Sequence, residues 1–207
     1  RTQGNLRVNW CGYHLHYRGM VTDTLRLFSY NMIWINRRSK LGGGIIAYIR
    51  DLFPLDRWSE LENDQHVTFW FTIWPNRLLR WLSNMTFGAV YNSSGADIFS
   101  LSEHIQTSLN HILTLQSRIF LVGDFKQLVS DFYIERAYSL KQIVNTPIRM
   151  NAILDEVYVN MELLCKVQFI DSTILSSDHN KVMCIPGCSK TPSYVIKLVW
   201  KNDHTTK

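Results

Sequence analysis

Apolar residues along the chain gather in short unbroken runs, and only one stretch carries a clear helical stripe. Ile45-Ile46-Ala47-Tyr48-Ile49 follows Gly42-Gly43-Gly44 and is closed by Pro54, which reads as loop then strand. Val67 to Trp74 predicts a second strand, ended by Pro75-Asn76, and Thr86 to Tyr91 a third, ended by Asn92-Ser93-Ser94-Gly95. Leu101, Ile105, Leu109, Ile112 and Leu113 then recur at helical spacing, and Ser100-Leu101-Ser102-Glu103 reads as a capping box at the start of that helix. Ile119-Phe120-Leu121-Val122 is a fully apolar strand, Ile153 to Val159 another, and Lys181 to Ile185 begins a last one. The stretch 1–30 shows some alternation at Gly12 to Tyr17 but no clear element, and the tail from Pro186 is basic and loosely patterned. Many strands with few helices favour packed sheets flanked by helices over a doubly wound parallel fold.

Length and composition narrow this picture. At 207 residues, 46% of them hydrophobic and 13% aromatic, the chain is expected to form one globular domain spanning 1–207. Phe69, Trp70, Phe71 and Trp74 read as core, with base stacking as the alternative. No apolar run approaches the roughly 18 residues of a membrane span, and no secretory signal is visible. Cys11, Cys165, Cys184 and Cys188 are scattered, as expected of reduced structural thiols in an intracellular protein. Cys184 and Cys188 beside His179 match no zinc-knuckle spacing. A net charge of +5 makes a polyanionic partner plausible. The chain opens on Arg1, as a piece of a longer reading frame would.

Two segments carry chemistry. Val122-Gly123-Asp124-Phe125 delivers a carboxylate at the end of an apolar strand, and Ser176-Ser177-Asp178-His179-Asn180 couples a carboxylate to an imidazole. Asp155 lies in a further strand. Hydrolysis of a phosphodiester needs a cation to neutralise developing charge, an activated water and donors that hold the phosphate. Mg²⁺ takes oxygen ligands, so acidic residues gathered at strand ends suit it. The Gly42–Gly44 run lacks the Lys-Ser/Thr of a nucleotide-binding loop and reads as a hairpin turn.

Taken in order, Leu41-Gly42-Gly43-Gly44-Ile45, Phe87-Gly88-Ala89-Val90-Tyr91, Val122-Gly123-Asp124-Phe125, Pro147-Ile148-Arg149, Ile153-Leu154-Asp155 and Ser177-Asp178-His179-Asn180 form one set. This set resembles the apurinic/apyrimidinic-endonuclease-like domain of non-LTR (LINE-type) retrotransposons, in the exonuclease–endonuclease–phosphatase superfamily. The resemblance is close from about Trp70, through Trp74-Pro75 and Arg80, to about Cys184, weaker over 32–50 and poor before residue 30. It implies an α+β fold of four layers: two packed, mostly antiparallel β-sheets flanked by helices, here with the amino-terminal strands missing or altered. It implies Mg²⁺-dependent nicking of DNA (Mn²⁺ as a substitute), a nuclear location, a monomeric domain and past fusion to a reverse transcriptase. By the same resemblance Tyr91 contacts the phosphate, Asp124 orients the attacking water and Asp155 orients the imidazole. Asp178 lies by the metal, and His179 holds or protonates the phosphoryl oxygens. His179 needs a proton for that task, and a flanking carboxylate such as Asp155 raises its pKa. Arg38, Arg77 and Arg80, with Lys126 and Arg149, are the candidate phosphate- and DNA-binding cations; Arg37, Arg38, Lys40, Arg77 and Arg80 read either as a surface that tracks DNA or as solvated charge.

Three departures set this chain apart from the pattern it resembles. Lys126 stands where the pattern has Asn after Gly-Asp-Phe. A unit charge pair about 4 Å apart at an effective dielectric near 20 is worth about 4 kcal/mol, roughly doubled for a divalent partner. Lys126 therefore weakens metal binding unless it turns outward or clamps a phosphate. Ile148 replaces the Thr of Pro-Thr-Arg, with Arg149 kept. Val21-Thr22-Asp23-Thr24-Leu25 puts Asp23, one methylene shorter, in the place of the metal-binding Glu. These departures point to a degenerate copy with impaired activity. The alternatives are a non-catalytic nucleic-acid-binding remnant of the same fold and a phosphatase or phospholipase of the superfamily.

Overall fold

The computed structural model describes residues 8–11, 26–36, 44–63, 65–74, 84–92, 97–115, 118–125, 131–145, 155–160, 165–170, 181–186 and 196–198, with backbone alone at 8–11, 131–133 and the last three segments. The elements in chain order are β1 (Val8–Cys11), β2 (Tyr30–Asn36), β3 (Gly44–Arg50), β4 (Leu55–Arg57), a 3₁₀ turn (Ser59–Leu61), β5 (Val67–Ile73), β6 (Met85–Tyr91), α1 (Ile98–Leu113), β7 (Arg118–Asp124), α2 (Asp131–Tyr138), β8 (Lys141–Gln142), β9 (Asp155–Val159), β10 (Cys165–Ile170), β11 (Lys181–Pro186) and β12 (Ile196–Leu198). They build two compact units, each on one six-stranded sheet. The α+β class and the predominance of antiparallel pairing are as the sequence leads one to expect.

The first unit orders its strands β10-β11-β12-β1-β3-β2, all antiparallel but for β1 and β12. Its described core is β3, where Ile45, Ile46, Ala47, Tyr48 and Ile49 are all buried, the continuous apolar run of a strand covered on both faces. β2 lies at the sheet edge and pairs with β3 from Tyr30↔Arg50 to Asn36↔Gly44. That is the hairpin expected around the glycine run; the basic turn itself (37–43) lies outside the described residues. Arg50 sets its guanidinium 5.4 Å from the centre of the Tyr30 ring across this pairing. β2 and β10 form where no strand is read from the sequence, and two short strands form where it shows no clear element: β1, in the stretch before residue 30, and β12, in the basic tail. Both are four residues or fewer and are held by neighbours distant in sequence, so local pattern carries little trace of them.

The second unit orders its strands β4-β5-β6-β7-β9-β8. β6 and β7 run parallel, with α1 between them in the chain, and the other pairs are antiparallel. Alternation along strands sorts the side chains onto two faces. One face carries Trp70, Val90, Ile119, Leu121 and Tyr158, which pack with Leu101, Ile105, Leu109 and Ile112 of α1 and with Ile134 and Tyr138 of α2. The opposite face carries an aromatic row across four strand positions: Phe69, Phe71, Phe87 and Phe120, with ring centres 5.8, 5.2 and 5.0 Å apart in turn. Gly88 belongs to the helix-facing side because Trp70 lies over it; a Cβ there would stand 2.1 Å from the indole. Several polar groups inside this unit pair with one another. Trp58 donates its indole N–H to Thr72 at 2.8 Å, and the Thr72 and Thr86 hydroxyls lie 2.8 Å apart.

The capping box expected at Ser100 is not the start of the helix. α1 begins at Ile98, and the Asp97 carboxylate accepts from the Phe99 and Ser100 amides at 3.0 and 3.3 Å. Ser100 instead places its hydroxyl 3.0 Å from His66 Nε2. His66 stacks on His104 of α1 with ring centres 5.4 Å apart. Asn63 uses its Oδ1 to accept the Gln65 and His66 amides, which turns its Nδ2 toward His104 Nδ1 at 3.0 Å. His104 Nε2 lies 2.8 Å from Thr68 Oγ1, so the ring bridges Asn63 and Thr68. Burial lowers the pKa of both imidazoles. The Asp97 charge opposes this at His66; at His104 the neighbouring His66 lowers it further and a Leu61 backbone hydrogen bond opposes.

Of the aromatics read as core, Phe69, Trp70 and Phe71 are completely buried, while Trp74 is 40% exposed and donates its indole N–H to Asp56 at 2.6 Å. Trp74 leaves the sheet one residue after β5 ends, so the core no longer covers it. The cysteine side chains lie outside the described residues.

Candidate active site

Three of the residues singled out in the sequence meet in one row of the second sheet. β6 ends at Tyr91, β7 ends at Asp124 and β9 begins at Asp155. The parallel register pairs Tyr91 with Asp124, and the antiparallel register pairs Asp124 with Asp155. Neighbouring strands lie about 4.8 Å apart, so the row spans roughly 10 Å of backbone. Paired positions share a face, and this one is the face opposite α1, the side of Phe87, Ala89, Phe120, Val122 and Val157. All three side chains are buried: Tyr91 is 8% exposed, Asp124 4% and Asp155 2%. The Oδ1 atoms of both acids are closed to solvent.

The sequence makes this row in a simple way. β6 and β7 are mostly apolar up to Tyr91 and Asp124 at their last positions, and β9 opens on Asp155 before its own apolar residues, so each polar group falls at a strand end, where the ladder stops and backbone can diverge. Gly123 lets β6 and β7 come close just before the acid. A Cβ at that position would stand 2.0 Å from the Val90 carbonyl oxygen and 2.8 Å from its carbon, so only glycine fits without moving backbone. Beyond the row, Asn92 is 4% exposed. Its N–H donates to the Asp124 carbonyl and its Nδ2 to the Phe125 carbonyl, both at 2.9 Å. Phe125 turns to the helix side and meets Tyr158 edge-on at 5.4 Å. Sequence reasoning gives Asn92 no role beyond marking a turn. The signal that could have found it is its place directly after a buried strand of the same sheet.

Two carboxylates side by side in a buried row are costly to hold without a compensating cation or donor. They supply oxygen donors of the kind that hard divalent cations take, and a phenol beside them can donate to an anionic oxygen. Among the described residues no group of three or more His, Cys, Asp or Glu is placed to hold a metal ion. Asp178 and His179, two to three positions before β11 in the chain, lie outside the described residues, as do Asp23, Arg38, Arg77, Arg80, Lys126 and Arg149. The structure thus brings together Tyr91, Asp124 and Asp155 of the predicted set. Among the described residues no helix is long and apolar enough to cross a membrane.

No family profile and no curated protein matches this chain. Solved structures do. The endonuclease domain of TRAS1, a telomere-specific non-LTR retrotransposon, superposes with a TM-score of 0.61 at 13% identity, over 90% of this chain and all of that one. An endonuclease/exonuclease/phosphatase family protein from Bacteroides thetaiotaomicron superposes with a TM-score of 0.52 at 12% identity, over 87% of this chain and 97% of that one. At such identities the likeness establishes a shared fold, the α+β fold of these endonuclease and phosphatase domains.

Proposed function

We propose that this chain is a divalent-metal-dependent phosphodiesterase domain that nicks DNA, descended from a non-LTR retrotransposon and weakened by substitution. The observation that carries the reading is the buried row of Tyr91, Asp124 and Asp155 at the ends of three adjacent strands. A packing role alone gives no reason to bury two acids next to each other, and a fold shared with an endonuclease domain gives one.

In this reading Asp124 orients the attacking water and accepts its proton, and Tyr91 donates its phenolic hydrogen to a phosphate oxygen. Asp155 fixes the imidazole of His179, keeps it charged and so lets it donate to the phosphoryl group. Asp178 would hold the metal, with Asp23 as a weaker partner. Mg²⁺, or Mn²⁺ in its place, supplies charge neutralisation at the phosphate when bound. Arg38, Arg77, Arg80 and Arg149 would follow the DNA backbone. The whole of 1–207 acts as one domain, monomeric, nuclear and once joined to a reverse transcriptase. Lys126 and Asp23 supply the ground for weakened catalysis: a positive charge where a cation must bind, and a shortened ligand.

Incubation with supercoiled plasmid in Mg²⁺ or Mn²⁺ tests this. Nicking that is lost in His179→Ala supports it. A protein that retards DNA in a salt-sensitive manner but never nicks is instead the non-catalytic remnant, a reading that the charge of Lys126 favours. Release of phosphate from inositol phosphates, with no nicking, would point to the phosphatase branch of the same fold.

A further inference from the structure

Asp124 is the last residue of β7, and its carboxylate can serve a reaction only if the chain leaving the strand is held in one conformation. Two hydrogen bonds that hold the exit come from one residue of the neighbouring strand end. Asn92 extends the β6–β7 ladder by one rung through its main-chain N–H to the Asp124 carbonyl. Its side-chain amide then reaches the next carbonyl along, that of Phe125, at the same 2.9 Å. Two successive carbonyls are therefore tied to a single buried residue: the main-chain bond holds the peptide plane between Asp124 and Phe125, and the side-chain bond holds the Phe125 carbonyl in the plane that follows, which fixes the turn at Phe125 and so limits rotation of the first plane. Rotation of that plane would swing the Asp124 Cα–Cβ direction relative to Asp155, its partner in register. On the other side of Asp124, Gly123 lies against the Val90 carbonyl, one residue before Tyr91. The acid is thus pinned from both sides by the strand that carries the phenol.

We infer that Asn92 is a positioning residue for Asp124: its side-chain amide sets the direction of the carboxylate that receives the proton of the attacking water. The inference rests on the reading of Asp124 given under Proposed function. Asn carries the donor this task needs, at the length that reaches one carbonyl past its own ladder bond. Asp at the same position would turn an oxygen toward the Phe125 carbonyl, and Ala would leave that carbonyl buried with one donor fewer.

The test compares the full chain with Asn92→Ala, Asn92→Asp and a control, Ile105→Val, that loosens the α1 core without touching the row. In plasmid nicking, both Asn92 variants are expected to lose about 10- to 100-fold in kcat while KM for DNA changes by no more than about twofold, because substrate binding is untouched. Ile105→Val should keep the parental kcat. In parallel, the side-chain carboxyl carbon of Asp124 is followed by NMR at fixed pH. Its resonance should move in both Asn92 variants and stay in place in Ile105→Val. A folded Asn92→Ala with the parental Asp124 resonance, or an equal displacement in Ile105→Val, overturns the inference. A parent that does not nick removes the catalytic reading and leaves the resonance to decide whether Asn92 directs Asp124.

Discussion

Replacing Gly123 by Ala probes the site through its backbone and leaves every polar group in place. The added Cβ would stand 2.0 Å from the Val90 carbonyl oxygen, where contacts under 3.0 Å essentially never occur. The nearest atoms all belong to backbone inside a strand buried from end to end, so no side chain can swing aside. β6 and β7 must part locally by about 1 Å, and the displaced rung adjoins the Tyr91–Asp124 pair. Overpacking of a closed core costs about 1–3 kcal/mol, and a clash with backbone belongs at the upper end, about 3 kcal/mol. With a urea m-value of about 2–3 kcal/mol per molar for a chain of this size, the midpoint should fall by about 1–1.5 M at unchanged m. Nicking by the folded variant should fall by about 100-fold, since misplacement of about 1 Å is enough for that. Urea unfolding followed by tryptophan fluorescence reads the first effect. A midpoint equal to that of the parent would show that β6 and β7 do not meet closely at this point, and the account of why glycine precedes Asp124 would fail.

Two other perturbations probe charge. His66 and His104 have pKa values below the ordinary 6.5 in the fold, chiefly through burial. Above that value both rings are neutral in folded and unfolded chains alike and contribute no pH dependence. As pH falls through 6.5 the unfolded chain takes up protons that the folded one refuses, so stability declines, with a limiting slope of about 2.7 kcal/mol per pH unit for two sites. The loss levels off once the folded rings protonate. Urea midpoints between pH 8 and pH 5 should show this decline, and His104→Gln should remove about half of it; an identical slope in that variant would refute the assignment. Lys126→Asn should raise nicking activity or tighten Mn²⁺ binding by relieving a charge conflict worth several kcal/mol at close range, by the order of magnitude of about 4 kcal/mol per unit pair. A variant no better than the parent places the ammonium group away from the cation.

Much of this protein can be read from its sequence because its central strands are largely apolar and buried over nearly their whole length. β3, β5, β6 and β7 fall within a residue or two of the runs that announce them, since a strand buried on both faces carries few polar positions to blur its limits. The stripe of Leu101, Ile105, Leu109 and Ile112 likewise marks the buried side of α1. Its first turn reads less well. Serine at position 100 is a good cap in isolation, yet Asp97 takes the amides first and frees that hydroxyl for His66, a partner 34 positions away. Edge and terminal strands such as β1, β8 and β12 carry no pattern, because two to four residues are too few to show a period and their pairing is supplied by distant chain.

The types of residue at the site were set by sequence alone: an acid after Gly123, an acid after Leu154, a phenol closing β6. Their conjunction was not. It depends on β6 and β7 running parallel and β9 antiparallel beside them, with a register that puts three strand ends in one row. Local preferences fix where a strand stops; only long-range pairing fixes which other end it stops beside. The clamp from Asn92 is of the same kind, since an asparagine written into a turn becomes a support for Asp124 only when the neighbouring strand brings one carbonyl to 2.9 Å from its main-chain N–H and the next to 2.9 Å from its side-chain amide.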